Sequence, residues 1–190
     1  PFATIISNPS NMHIEPAIAG IKAGSNIFIE KPLSSNFSSI VPLLEIANSC
    51  KLTTMVGFQL RFSPLIKKIK SLLANNAIGK ILSVRAEVCE YMPWFHRYED
   101  YREIYASKKS MGGGVILTQI HEIDFLIDIF GFPSAVYAIG GKKSQLEIDV
   151  EDSANLIFGI NSENDNEIVI SIDMDFIRHD SIRQCKVIGE

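Results

Sequence analysis

The sequence predicts a fold of two kinds joined in one chain, α/β plus α+β. Residues 1–60 read as part of a doubly wound parallel-sheet unit. Residues 61–190 read as an open, mainly antiparallel sheet domain covered by helices on one face, without its full C-terminal end. Three observations carry this. Up to residue 58, short apolar runs alternate with amphipathic helical stretches, the pattern of a parallel sheet with crossover helices. Beyond residue 134, strand-like segments follow one another directly. Between these regions lie the helical stretches 65–74 and 115–130.

Residues 3–6 (Ala-Thr-Ile-Ile) form a short apolar strand, and Ser7-Asn8-Pro9-Ser10 is turn chemistry. Ser10 or Asn11 is placed to cap a helix that runs to Ala23 and stops at Gly24. A second strand at 26–29 ends in Glu30-Lys31-Pro32; a helix over 37–49 and a strand over 52–58 follow. Leu65, Ile66, Ile69, Leu72 and Leu73 make a helical stripe. Residues 81–91 alternate as a strand, and 93–109 are polar and aromatic. Gly112-Gly113-Gly114 leads into a helix from Val115 to Phe130, ended by Gly131 and Pro133. Strands at 135–141, 154–160, 167–176 and 184–188 complete the chain, with a polar hairpin turn at 161–166. Consecutive strands with hairpin links imply antiparallel pairing.

The 190 residues carry a formal charge of −4, and 46% are hydrophobic. That weak acidity argues against nucleic acid as a partner, because tracking phosphates needs clustered Lys and Arg. Lys67, Lys68 and Lys70 are one turn of basic residues, read as a solvated helix face. No apolar run is long enough to span a bilayer, so no membrane partner is expected. Cys50, Cys89 and Cys185 are odd in number and form no CxxC pair, which excludes a disulfide scaffold and a local zinc finger. They read as free buried thiols of a cytoplasmic protein.

Four motifs could carry chemistry. Lys31 ends an apolar strand, where open parallel sheets place ligands, and a lysine there can stabilise developing negative charge. His121 and Asp124 share one helix face after the glycine triplet, and a histidine suits removal of a hydroxyl proton. Their spacing would also suit two metal ligands, but no third is evident and no metal is expected. Asn8, Pro9 and His13 open a helix whose N-terminus can receive a phosphate or ribose. Tyr91, Pro93, Trp94, Tyr98, Asp100, Tyr101, Arg102 and Tyr105 offer aromatic faces and a planar guanidinium to a sugar or an anion. For each motif a purely structural role is an open alternative.

Order and spacing add more than any motif alone. The runs Ile5-Ile6-Ser7-Asn8-Pro9 with His13, Glu30-Lys31-Pro32-Leu33, Val56-Gly57-Phe58-Gln59 with Arg61-Phe62 and Pro64, Gly112-Gly113-Gly114 with His121, Asp124 and Gly131, and Val150-Glu151-Asp152-Ser153-Ala154 cover nearly the whole chain. Together they resemble the glucose–fructose oxidoreductase / inositol dehydrogenase (Gfo/Idh/MocA) family. The stretch from Trp94 to Tyr105 and Ile120-His121-Glu122-Ile123-Asp124 resemble members linked to bacterial surface-glycan sugars.

The resemblance implies a Rossmann domain that binds NAD or NADP, with Asn8, Pro9, His13, Glu30, Lys31 and Pro32 on the cofactor side. It implies Lys31 and His121 as catalytic residues, converging on one cleft, and a cis Lys31–Pro32 bond. Trp94, Tyr101, Arg102 and Asp124 would hold a sugar or nucleotide-sugar substrate. The implied activity is NAD(P)-dependent oxidoreduction of a secondary alcohol; a non-catalytic binding or sensor protein of the same fold is the alternative. The C-terminal sheet is implied as a homo-oligomer face. Two departures stand out. The family's glycine-rich phosphate loop is missing, so the chain is expected to be truncated at its N-terminus. Leu117 stands where many relatives carry Asp, so Thr118, Gln119 or Glu122 is expected to serve His121 instead.

Overall fold

The computed structural model describes residues 1–161 and 167–190. The hairpin turn expected at 161–166 lies, beyond Asn161, outside the described residues.

The first unit is a three-stranded parallel sheet in the order β1 (Ala3–Ile6), β2 (Asn26–Ile29), β3 (Thr54–Val56). Helices α1 (Ile14–Lys22) and α2 (Ile40–Ser49) make the crossovers. Ile6, Ile27 and Ile29 point to one face and are buried with Ile14, Ala17, Ile21 and Leu43. Period-two side chains on the strands meet period-3.6 stripes on the helices, which is why these short elements hold together. The strand turns that carry Asn8, Lys31 and Gln59 therefore all emerge at the sheet's carboxyl edge, where such sheets bind ligands.

The second unit is a five-stranded sheet in the order β5-β6-β7-β4-β8. Its strands are β4 (Ile81–Cys89), β5 (Ala135–Gly141), β6 (Ser153–Asn161), β7 (Glu167–Asp175) and β8 (Ile182–Gly189). Register aligns Val84 with Ile170, Ala86 with Ile172 and Val88 with Met174. It also aligns Phe158 with Ile170 and Leu156 with Ile172. All lie on the inner face and are buried, together with Ile66 of α3 (Pro64–Ala74) and with Phe125 and Leu126 of α5 (His121–Phe130). Each such large side chain contributes about 1.5–3 kcal/mol. The outer face carries Tyr137, Ile139, Ile157 and Val169, all exposed, beside Arg85, Glu87, Asp173 and Lys186.

Several sequence expectations change. β7 and β8 are not a hairpin pair: β4 lies between them, parallel to β7 and antiparallel to β8. Hairpin logic counts only local links, whereas the apolar row Val84, Ala86, Val88 is buried best in the middle of the sheet. The helix expected over 115–130 is two helices, α4 (Val115–Thr118) and α5, broken where Gln119 leaves helical geometry at φ −103°, ψ 30°. Neither Ser10 nor Asn11 caps α1; residues Ser10–Met12 form a 3-10 turn and no side chain makes the capping bond. Lys70 is not merely solvated, since its Nζ lies 2.5 Å from Asp128. All three cysteines are free thiols, but only Cys89 is fully buried. Gly24 and Gly131 do take positive φ at their helix ends.

Candidate active site

Lys31 follows Glu30 just past the end of β2, and its bond to Pro32 is cis. The lysine Nζ reaches across to the second unit and donates to the Thr118 carbonyl at 2.6 Å. That carbonyl ends the four-residue helix α4, and with no further turn following it is free to accept. His121 begins α5 just beyond the break. Lys31 and His121 thus line one cavity of about 280 Å³ with Gln59, Glu90, Phe95, His96, Ile104, Tyr105, Thr118, Gln119 and Arg183.

The glycine triplet makes this convergence possible. A Cβ on Gly113 would stand 2.5 Å from the carbonyl oxygens of both Tyr105 and Ala106. Gly112 takes φ +77° and Gly114 φ +109°. Glu151 closes the junction, accepting from the Ile116 N–H at 3.2 Å, while its own carbonyl accepts from Val115. The segment bearing Tyr105 can therefore lie directly on the start of α4.

Three of the lining residues carry polar atoms that the described residues leave unpaired. Thr118 Oγ1, both amide atoms of Gln119 and both ring nitrogens of His121 are buried without a hydrogen-bond partner among the described residues. Such groups normally find partners, so this cavity is the candidate site for a polar ligand. Burial lowers the His121 pKa to about 4, with the Lys31 and Arg183 charges adding to the shift. The imidazole is therefore neutral at physiological pH. Burial also lowers the pKa of Lys31, against the opposing charge of Glu30. The expected helpers of His121 do not serve it: Thr118 offers its carbonyl to Lys31, and fully buried Glu122 accepts from Arg183 Nε at 2.8 Å.

A second cavity, about 270 Å³, adjoins the first and shares Lys31 and Tyr105 with it. Ser7, Asn8, Pro9, Ser10, His13 and Glu30 form the rest of its wall. Asn8 Oδ1 is buried without a partner among the described residues, a polar atom suited to a ribose or carboxamide donor. His13 is buried between the Asn8 and Pro32 carbonyls at 2.7 and 2.8 Å. Its ring thus sits between the two turns, with a ring N–H donating to one of these carbonyls. Glu30 accepts from its neighbour's backbone N–H at 3.3 Å.

The remaining expected residues stand elsewhere. Asp124 does not face the cavity; Arg61 grips both of its oxygens, at 2.8 and 2.6 Å, and the helix face it shares with Asp128 turns toward α3. The i, i+3 argument placed Asp124 beside His121, but an unexpected arginine had the stronger claim on a nearly buried carboxylate. Arg102 lies at the surface on Asp100 and Glu147, and the Tyr101 hydroxyl accepts from the Glu147 N–H at 3.3 Å. Trp94 packs on Tyr91 and His179, with Arg97 over its ring. None of these lines the Lys31–His121 cavity. Gln59, Tyr105, Gln119 and Arg183 do; the aromatic stretch offered Tyr105, but no local pattern singled out the other three as ligands. Glu87, Cys89 and Asp173 are close enough to share a cation, yet Arg178 bonds to all three.

A parallel sheet with ligand-facing turns thus stands beside a mainly antiparallel sheet whose covering helix α5 supplies a buried histidine. The chain belongs to the Gfo/Idh/MocA family: residues 1–58 match the model of its oxidoreductase NAD-binding Rossmann domain, and residues 66–190 match its C-terminal domain. The cofactor class is thus a nicotinamide dinucleotide. Among curated relatives, trans-1,2-dihydrobenzene-1,2-diol dehydrogenase of Xenopus tropicalis is 30% identical over 149 residues, covering 77% of this chain and 42% of that protein. Levoglucosan dehydrogenase of Pseudarthrobacter phenanthrenivorans is 30% identical over 136 residues, covering 70% and 34%. The chain spans less than half the length of these relatives. The WlbA dehydrogenase of Bordetella pertussis, solved with NADH and UDP-GlcNAcA, superposes with a TM-score of 0.85 at 20% identity, covering 100% of this chain and 56% of that one.

Proposed function

We propose that the protein is an NAD(P)-dependent oxidoreductase that transfers hydride to or from a secondary alcohol of a sugar or nucleotide sugar. The observation that carries this is the convergence of Lys31 and a neutral, unpartnered His121 on one polar cavity beside the Asn8 cavity. When bound, the nicotinamide supplies or takes up the hydride. Asn8, Pro9, Glu30, Lys31 and Pro32 would hold it, with His13 keeping their turns in place.

A substrate hydroxyl in the larger cavity meets an imidazole nitrogen of His121, which takes its proton or returns it. Lys31, already aimed by the Thr118 carbonyl, donates to the same oxygen and stabilises negative charge as it develops there. Gln119 and Thr118 satisfy neighbouring hydroxyls. Trp94, Tyr101 and Arg102 are assigned to the outer part of a larger substrate, such as the nucleotide of a nucleotide sugar. The WlbA dehydrogenase, solved with such a ligand, supports that class; a role in surface-glycan synthesis rests on the likeness of the stretch from Trp94 to Tyr105 to such members of the family. Asp124 is assigned to positioning α5 rather than to substrate. The exposed apolar row of the outer sheet face supports homo-oligomerisation, and the free thiols support a reducing, cytoplasmic setting.

The test is turnover followed at the nicotinamide absorbance in the intact protein, with a panel of sugars and nucleotide sugars. His121→Asn is expected to lower turnover about 10²–10⁴-fold, and Lys31→Ala to lower it as well. Near-normal turnover of His121→Asn rejects the assignment. One observation favours a second reading, a non-catalytic sensor: a histidine held near a pKa of about 4, with no partner to orient it, is a weak base. That reading expects ligand and cofactor binding without turnover on any sugar.

A further inference from the structure

Gln119 occupies the break between α4 and α5, next to both groups of the proposed chemistry. The Thr118 carbonyl just before it holds the Lys31 ammonium, and His121 opens α5 just after it. The backbone of Gln119 is spent on the fold. Its N–H donates to the Val115 carbonyl at 3.0 Å, and its carbonyl accepts from the Glu122 N–H at 3.4 Å. The side chain has no such employment. Gln119 is only 3% exposed, yet neither amide atom has a hydrogen-bond partner among the described residues. Both imidazole nitrogens of His121 are unpartnered too, so the amide does not hold that ring.

A buried carboxamide without partners destabilises the fold, and methionine would fill the same space without that cost. The amide therefore suits a partner that arrives from the cavity. Of the two adjoining cavities, Gln119 lines the one with Lys31 and His121 and not the one with Asn8. A carboxamide offers an acceptor and a donor side by side. Two hydroxyls on adjacent carbons answer both at once, because each can give a proton and accept one. A carboxylate has no proton to give to Oε1, and a trans secondary amide directs its N–H and C=O to opposite sides. We propose that Gln119 is a specificity-determining residue whose amide reads a pair of free hydroxyls beside the one that reacts at Lys31 and His121. The substrate is then a sugar ring with a run of three free hydroxyls. The inference rests on the oxidoreductase reading above and deepens it. An analogue lacking either neighbouring hydroxyl leaves a buried amide atom stranded in the complex, which is a strong ground for rejection.

The experiment uses the intact protein with glucose, galactose and their uridine diphosphate conjugates, each set against analogues lacking one ring hydroxyl. Affinities are measured by calorimetry for wild type and for Gln119→Met, which keeps length and volume but not the amide. For at least one parent sugar, loss of either of two adjacent hydroxyls is expected to weaken binding about tenfold to a hundredfold. Gln119→Met is expected to erase that difference and to leave NADH affinity unchanged. Without any ligand, the same variant is expected to unfold at a higher urea concentration than wild type. The inference is overturned if no parent sugar binds more tightly than its deoxy analogues, or if Gln119→Met keeps the difference. A fall in NADH affinity would overturn it by giving the amide to the nicotinamide instead. Lower stability of the unliganded variant would overturn it by showing the amide already satisfied. Failure of the oxidoreductase reading has a different signature: the deoxy pattern and its loss in Gln119→Met both appear, yet no sugar supports turnover.

Discussion

His121→Leu is expected to make the fold less sensitive to acid, while abolishing turnover. The ordinary histidine pKa is 6.5, and burial, with Lys31 and Arg183 adding to it, lowers that of His121 to about 4 in the folded chain. Glu90, His96 and Tyr105 line the same cavity, and Glu122, the next residue in α5, is held by Arg183. Between these two pH values the unfolded chain binds the extra proton and the folded chain does not. Stability therefore falls as pH drops from about 6.5 towards 4, and the loss is complete below the lower value. Each pH unit in that window is worth about 1.4 kcal/mol. Moving from pH 7 to pH 5 should thus cost wild type about 2 kcal/mol from this one group. Leucine fills the same space, does not titrate and removes two buried nitrogens that lack partners. The variant should be at least as stable as wild type at pH 7, and about 2 kcal/mol more resistant to the drop to pH 5. Urea unfolding of both proteins at the two pH values measures this, because every other titrating group cancels in the difference. Equal pH dependence of the two proteins would show that His121 is not held neutral, and the account of its environment would fail.

Three further outcomes follow from the same geometry. Arg61→Ala should destabilise the protein by about 1–2 kcal/mol, because it strands the nearly buried Asp124 carboxylate; Asp124→Asn should cost less and leave substrate affinity unchanged, checked by urea unfolding and KM. Gly113→Ala should destabilise by about 1–3 kcal/mol and lower turnover, since the new methyl collides with the Tyr105 and Ala106 carbonyls; thermal unfolding and nicotinamide absorbance report the two effects. Ile157→Glu, on the exposed outer sheet face, should shift the protein to a smaller assembly in light scattering without altering its circular dichroism.

Much of the architecture was legible because it rests on local periodicity. The Ile-rich strands at residues 3–6 and 26–29, the stripe of α3 and the alternation of β6 and β7 each reveal a buried face within a few residues. The family motifs pointed to Lys31 and His121, and to the cis bond at Pro32, which the fold contains. What the periodicity missed was non-local. The insertion of β4 between β7 and β8 depends on pairing across about a hundred residues, which leaves no mark on neighbouring positions. Residues 115–130 carry a continuous helical stripe, so the break at Gln119 is invisible until the Lys31 ammonium and the Glu151 carboxylate take up the groups around it.

The sequence by itself determined the class of fold, the family and the two residues around which the candidate site is built, because those follow from pattern and motif. The tertiary structure alone decided the company these residues keep. It gave Asp124 to Arg61 and left His121 without a hydrogen-bonding partner among the described residues. It also brought Arg183, more than sixty positions away in the chain, against Glu122 at the cavity wall. A charged side chain pairs with whatever opposite charge folding brings within reach, and burial sets how strongly each is held. Both depend on the packed whole, not on spacing along the chain.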